Sequence, residues 1–335
     1  MLLVPGANSS SDTFLLPFGG LAAHLACEHG WDVWLFDWRA SPKVVVPLTH
    51  RPVPLGGTAA SERLRYSLDV AIAEDLSAAL ALVRGQIGSR PLSVLGHCVG
   101  GAAVATATAR GVFSGFGVDR VVLSTLGLFY EVPWRTWIKA EDLLLERLVM
   151  PDDQPGCRVI DPKRPDLWPR GFRHAYERWP QEWLPGGSSP SDDFLKRLSF
   201  MVGQPYTRAR LEPAIDGAPV ESVFGPLHLG LYTHLGQMVR RGFSSRFVAD
   251  PAARNTAETT DLNPAPFRDV HVTLVAAADN GVWHRDALDR MHDWLRRFPY
   301  VRSDKHVVPG CNIQELFWGA KTRATTYPMF AEGLG

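Results

Sequence analysis

Apolar and polar positions divide the chain into stretches with different periods. From Leu2 to Leu126, short apolar runs alternate with longer segments whose apolar residues recur at helical spacing. Leu2 to Val4, Trp31 to Asp37, Leu92 to Leu95 and Arg120 to Leu126 read as strands. Phe18 to His29, Tyr66 to Arg84 and the alanine-rich Gly100 to Arg110 read as helices; in the second, Ala71, Ile72, Leu76, Ala79, Leu80 and Leu82 place one face on a sheet. Short connections between such elements predict a doubly wound, mainly parallel sheet. From Gly127 to about Pro266 no convincing strand recurs, and helices are expected over Trp137 to Val149, around Phe172 to Trp179, over Asp193 to Val202 and over Leu227 to Arg241. Val270 to Ala276 resumes the strand pattern, followed by a helix from Met291 to Phe298, a strand at Lys305 to Val308 and a terminal helix. The expected organisation is a core of residues 1–126 and 267–335 with residues 127–266 inserted as a helical cap.

One stretch changes this picture from architecture to chemistry. Gly96-His97-Cys98-Val99-Gly100 follows a strand and opens a helix, which is the G-x-S-x-G nucleophile elbow of an α/β-hydrolase sheet with cysteine in place of serine. The flanking glycines let strand and helix approach closely, and a thiol at a helix N-terminus is expected to ionise more readily. The fold expected is therefore the α/β-hydrolase fold, mainly parallel, with its helical cap between two late strands. The amides of Val99, Ala7 and Asn8 are the expected oxyanion donors, Ala7 and Asn8 lying in the loop after the first strand. An acid or amide at the end of the penultimate strand orients the histidine in this fold; the candidates are Asp279, first, then Asn280, and Asp286.

Composition narrows the partners. The 335 residues are 45% hydrophobic and 21% charged with zero formal net charge, and no basic block suggests nucleic acid. No run reaches the roughly 18 apolar residues of a membrane span. The apolar start lacks the basic residues and cleavage site of a signal peptide, and four scattered cysteines suggest free thiols in a reducing compartment; a cytoplasmic protein is expected. No GxGxxG or GxxxxGK[ST] loop and no histidine–carboxylate metal pattern occurs, so neither cofactor nor catalytic metal is expected. The tryptophans and phenylalanines of the inserted segment, Trp134, Trp137, Trp168, Trp179, Trp183, Phe224 and Phe243, offer a lining for an apolar pocket or simply hold the cap together. The expected partner is a small apolar acyl-type substrate, free or linked to a carrier or to coenzyme A, with a homodimer as the oligomeric option.

LLVPG, GWDVWLFDWRASP, LGHCVGG, AADNGVW, HVVPG and the closing FWG together resemble the α/β-hydrolase domain associated with bacterial cholesterol-oxidase-like proteins, and more distantly the cysteine-nucleophile polyhydroxyalkanoate synthases. The resemblance implies acyl-transfer or hydrolytic chemistry, and it exposes a departure. Where such proteins carry P-G-Y-G-H-L-D with a general-base histidine, this chain reads Pro309-Gly310-Cys311-Asn312-Ile313-Gln314-Glu315, so Ile313 stands at the histidine and Glu315 at the aspartate. Isoleucine takes no proton.

Three readings follow. The first is covalent acyl transfer or slow hydrolysis through Cys98, acting on an ester, thioester or lactone, with His284, His97, Glu315 or Cys311 as surrogate proton acceptors. The second is a cyclisation or condensation that uses the oxyanion pocket without an acyl-enzyme. The third is a catalytically silent binding protein. His97 beside the nucleophile reads mainly as a supporting hydrogen-bonding group, and His234 is a cap residue able to descend toward the crevice.

Overall fold

Leu2–Val4 (β1) is three buried apolar residues with a parallel partner on each side, so it has no face to give to water. The computed structural model describes residues 1–44, 66–141, 159–215, 220–248 and 260–335. In chain order the further strands are β2 (Trp34–Leu35), β3 (Leu92–His97), β4 (Val118–Ser124), β5 (Val159–Ile160), β6 (Leu227–His228), β7 (His271–Ala277) and β8 (Arg302–Val308). All but β5 and β6 form one sheet in the order β2-β1-β3-β4-β7-β8, and every pairing in it is parallel. β5 and β6 pair antiparallel by themselves.

Alternation along the strands builds two cores. Leu2, Val4, Val94, Val121, Leu123, Val272 and Leu274 pack on one face, while Leu3, Leu95, Val122 and Val275 pack on the other. The helices are α1 (Gly20–His29), α2 (Ser77–Ile87, continuing Leu68–Val70 through a wider turn at Ala71–Leu76), α3 (Val99–Ala109), α4 (Trp134–Glu141), α5 (Arg170–Arg178), α6 (Pro190–Val202), α7 (Leu229–Arg241), α8 (Asp286–Leu295) and α9 (Thr326–Leu334). α3 is buried along its whole length, which its glycines, alanines and small β-branched residues permit. A Cβ on Gly100 would lie 2.5 Å from the carbonyl oxygens of Val4 and Pro5, and one on Gly96 would overlap the Gly100 carbonyl, so helix and sheet meet at backbone distance.

The helical segment leaves the sheet after β4 and returns at β7. Its aromatic residues mostly hold one another. Phe172, Tyr176 and Trp179 surround Phe200 with ring centroids 5.0–5.3 Å away, and Trp168 meets Phe172 and Tyr176 edge to face; each such pair adds about 0.5–1.5 kcal/mol beyond burial.

Several element bounds differ from the sequence pattern for local reasons. The strand expected over Trp31 to Asp37 is only Trp34–Leu35, because Asp37 turns away to accept hydrogen bonds from the Ser11 amide (2.9 Å), the Ser11 hydroxyl (2.7 Å) and the Ser41 hydroxyl (2.8 Å). α1 starts at Gly20, not Phe18, since Phe18 and Gly19 have φ of 50° and 84°. α7 starts at Leu229, where the His228 ring caps it by accepting from the Gly230 amide at 3.1 Å. α8 lies at Asp286–Leu295, earlier than Met291 to Phe298, and β8 begins at Arg302. The helix expected over Trp137 to Val149 is described only as Trp134–Glu141; its remainder lies outside the described residues.

Candidate active site

The elbow between β3 and α3 holds Cys98 at φ 56° and ψ −125°, a left-handed conformation that a side chain adopts only under the constraint of its surroundings. That constraint is the close approach just described, plus the Cys98 amide donating to the Ser124 carbonyl at 2.9 Å. The thiol faces a cavity of about 80 Å³ enclosed between sheet and cap. Core loops contribute Gly6, Ala7, Asn8, His97, Val99 and Trp283 to its wall, and the cap contributes apolar groups such as Met201, Phe224, Leu235 and Val239. Of the seven cap aromatic residues suggested by the sequence, Phe224 alone lines it.

Two N–H groups act on the sulfur itself. The indole of Trp283 donates to Sγ at 3.2 Å, and the Val99 amide favours the thiolate from the first turn of α3. Ala7 and Asn8 line the cavity, and their amides donate to no group among the described residues. Their loop is fixed to the cap, since the Asn8 carbonyl accepts from the Gly225 amide at 2.8 Å and the Ser10 amide donates to Val223 at 2.9 Å. Gly6 lets this loop come close: a Cβ there would sit 3.3 Å from Cys98 Cβ. The expected lowering of the thiol pKa does not occur. Cys98 is half-buried as a residue, its surface turned to the cavity, and desolvation of the enclosed sulfur pushes it up to about 11 against the opposing pull of Trp283 and Val99.

Among the described residues, none of the expected proton acceptors hydrogen-bonds that sulfur. Ile313 is buried in the cavity wall, where the resemblance placed a histidine. Asp279 points outward, its carboxylate accepting from Arg210 at 2.8 Å on the surface. His284 is half-exposed and lies 3.2 Å from Asp286, outside the cavity lining. Glu315 is buried as a clamp, accepting from the Thr207 amide at 2.6 Å and the Asn312 amide at 2.8 Å. Cys311 packs in the other core; burial raises its thiol to about 12, and it is free, as are Cys27 and Cys98. Cys157 lies outside the described residues. His234 is fully buried: its Nδ1 accepts from the Leu68 amide at 3.2 Å and its Nε2 donates to the Ser245 carbonyl at 2.8 Å, so it joins α7 to the start of α2.

Asn280 has a different place from that of an orienting acid. Its Oδ1 accepts from the amides of Val282 (2.9 Å) and Trp283 (3.0 Å), a turn that aims the indole at Cys98. Asn312 braces that turn by accepting from the Gly281 amide at 3.0 Å while donating to the Gln204 carbonyl at 3.1 Å.

His97 lines the cavity and is buried, with Nδ1 3.0 Å from the Ser124 hydroxyl. Burial lowers it to about 3, offset only in part by the nearby Gln314 side chain, so the ring is neutral at physiological pH. In this geometry neither His97 Nε2, Gln314 Oε1 nor Asn8 Nδ2 has a hydrogen-bond partner, and all three residues line the cavity.

Lys139, on α4, is, like Trp283, a lining residue that the sequence reading missed. It is 5% exposed, and its Nζ donates to the Phe200 carbonyl at 2.7 Å and reaches the Ser199 carbonyl at 3.5 Å. Nothing in the local sequence separates it from the other charged residues of that helix.

Among solved structures the chain is similar to a lipase in its open form, at 14% identity and a TM-score of 0.51, over 99% of this chain and 88% of that one. It is also similar to a thermostable carboxyl esterase from Bacillus coagulans in complex with glycerol, at 13% identity and a TM-score of 0.50, over 99% and 86%. These likenesses, the parallel sheet and the helical segment inserted between two of its strands give the chain the α/β-hydrolase fold. No family model matches the sequence, and no curated protein matches it significantly. No helix among the described residues is long and apolar enough to cross a membrane.

Proposed function

We propose that this α/β-hydrolase-fold protein transfers acyl groups through a thioester on Cys98 and hydrolyses them slowly or not at all. The observation that carries the reading is a strained cysteine that opens onto an apolar cavity and takes N–H donors from Trp283 and Val99, with Ala7 and Asn8 in the same cavity wall. The likeness of LGHCVGG and its neighbours to cysteine-nucleophile acyltransferases supports the same chemistry.

The high thiol pKa selects the donor. With Cys98 protonated at rest and Ile313 in place of a base, the first step suits a thioester or activated ester. The Sγ–C bond forms as the acyl–leaving-group bond breaks, and the thiol proton departs with the leaving thiol or alcohol. The amides hold the developing oxyanion. In the second step an acceptor alcohol, amine or thiol displaces Cys98, gives up its own proton to the sulfur and leaves as the acylated product. Water is a poor acceptor here because no base activates it.

Replacing Cys98 by Ala tests the covalent role: transfer from an acyl thioester to an acceptor is expected to fall by more than about a hundredfold. A merely severalfold change would favour the reading in which a protonated Cys98 donates a hydrogen bond to an enolate or alkoxide, a role that its raised pKa also suits.

A further inference from the structure

The cavity is mostly apolar; Tyr232 of the cap spends its hydroxyl on the Met201 carbonyl, and two further polar groupings stand on opposite sides of the cap–core boundary. One surrounds Cys98 and comes from the core loops; the other is Thr136 and Lys139, one turn apart on α4 of the cap. Lys139 has no acidic partner among the described residues. Its contacts are the two carbonyls at the end of α6 and the faces of Trp179 and Phe200, each ring centroid 5.9 Å from Nζ. An ammonium has three N–H directions, and carbonyl dipoles and ring faces do not neutralise a full buried charge. Burial accordingly pulls this lysine down to about 7.

We propose that Lys139 anchors a carboxylate at the far end of the acyl chain, so that the substrates are ω-carboxyacyl donors whose reactive carbonyl meets Cys98. The inference rests on the acyl-transfer reading for its reactive end. The apolar wall between the two polar groupings takes the methylene chain, and the substrate carboxylate completes the ion pair that Lys139 lacks among the described residues. Capping the α6 carbonyls is a role that Lys139 would fill for any substrate; charge selectivity is what separates an anchor from a cap.

The test compares the mono-para-nitrophenyl ester of octanedioic acid with para-nitrophenyl octanoate, following nitrophenolate release and the mass of Cys98. Wild type is expected to react with the acidic ester about tenfold or more faster in kcat/KM, and Lys139→Met is expected to remove that preference while still accepting octanoate; Lys139→Arg is expected to keep it. Equal reaction of both esters in wild type, or a preference untouched in Lys139→Met, overturns the anchor and leaves acyl transfer standing. Acylation by neither ester overturns acyl transfer instead. The anchor is then decided without chemistry, and also if Lys139→Met does not fold, by binding of monomethyl octanedioate against methyl octanoate to Cys98→Ala protein. Tighter binding of the acid supports the anchor, and equal binding overturns it.

Discussion

The indole N–H of Trp283 donates to the sulfur of Cys98 at 3.2 Å, across 185 residues of sequence. Trp283 thus supplies the side-chain hydrogen bond to the sulfur, and an indole can stabilise a thiolate but cannot receive its proton. Trp283→Phe keeps the ring and the backbone turn held by Asn280 while deleting the donor. A hydrogen bond to a charged group contributes about 1.5–3 kcal/mol, so alkylation of Cys98 by iodoacetamide at neutral pH should slow by roughly tenfold or more. An unchanged rate would mean that the contact does not act on the thiolate.

The same sulfur should show its burial in a pH profile. With the thiol held up to about 11, the ionised fraction rises about tenfold per pH unit, so the logarithm of the alkylation rate should climb without a plateau between about pH 7 and 10. A plateau near pH 7 would identify a low-pKa thiolate. The stability linkage has the matching sign. The native state keeps this proton longer than the unfolded chain, so its contribution is present below the ordinary thiol value of 9.0 and is lost as pH rises toward about 11.

Ile313 offers a gain-of-function experiment. It lies in the cavity wall and is 2% exposed, so Ile313→His introduces an imidazole into the site at modest change of volume. General-base catalysis contributes about a hundredfold to ten-thousandfold, and the Cys98 acyl-enzyme should lose its acyl group to water faster by at least the lower figure. Measuring its lifetime by mass after removal of the donor decides the point; an unchanged lifetime would show that a base at this position does not govern hydrolysis.

His97 predicts an acid-labile fold. Burial moves its pKa from 6.5 down to about 3, so between those values the unfolded chain binds the proton and the native state does not. Its stabilising contribution is present above pH 6.5 and is lost as pH falls, by up to about 1.4 kcal/mol per pH unit. In urea titrations, His97→Asn should flatten the pH dependence between about pH 6 and 4 relative to wild type; parallel slopes would contradict the assignment.

What was legible in the sequence had a short-range signature. The elbow reads from Gly96 to Gly101 because strand, tight turn and small-residue helix are contiguous, whereas the reading of Ile313 at a histidine position rests on the family resemblance alone. Trp283 and Lys139 were not legible as site residues, because their roles arise from distant backbone. Asn280 and Asn312 fold the loop that aims the first, and the carbonyls of Ser199 and Phe200 hold the second. Asp279 misled for a related reason: the strand end was placed well, but Arg210 from the cap draws the carboxylate outward. The expectation of an acidified thiol weighed the helix N-terminus without the desolvation that only packing reveals.

The central claim concerns the fate of the Cys98 sulfur when it meets an acyl thioester, and intact mass spectrometry reads it directly. Protein mixed with octanoyl thioester of N-acetylcysteamine should gain the mass of one acyl group, mapped by digestion to the peptide carrying Cys98, and should keep it in buffer until an amine or thiol acceptor is added. Protein that stays unmodified while iodoacetamide still reaches Cys98 would contradict the account.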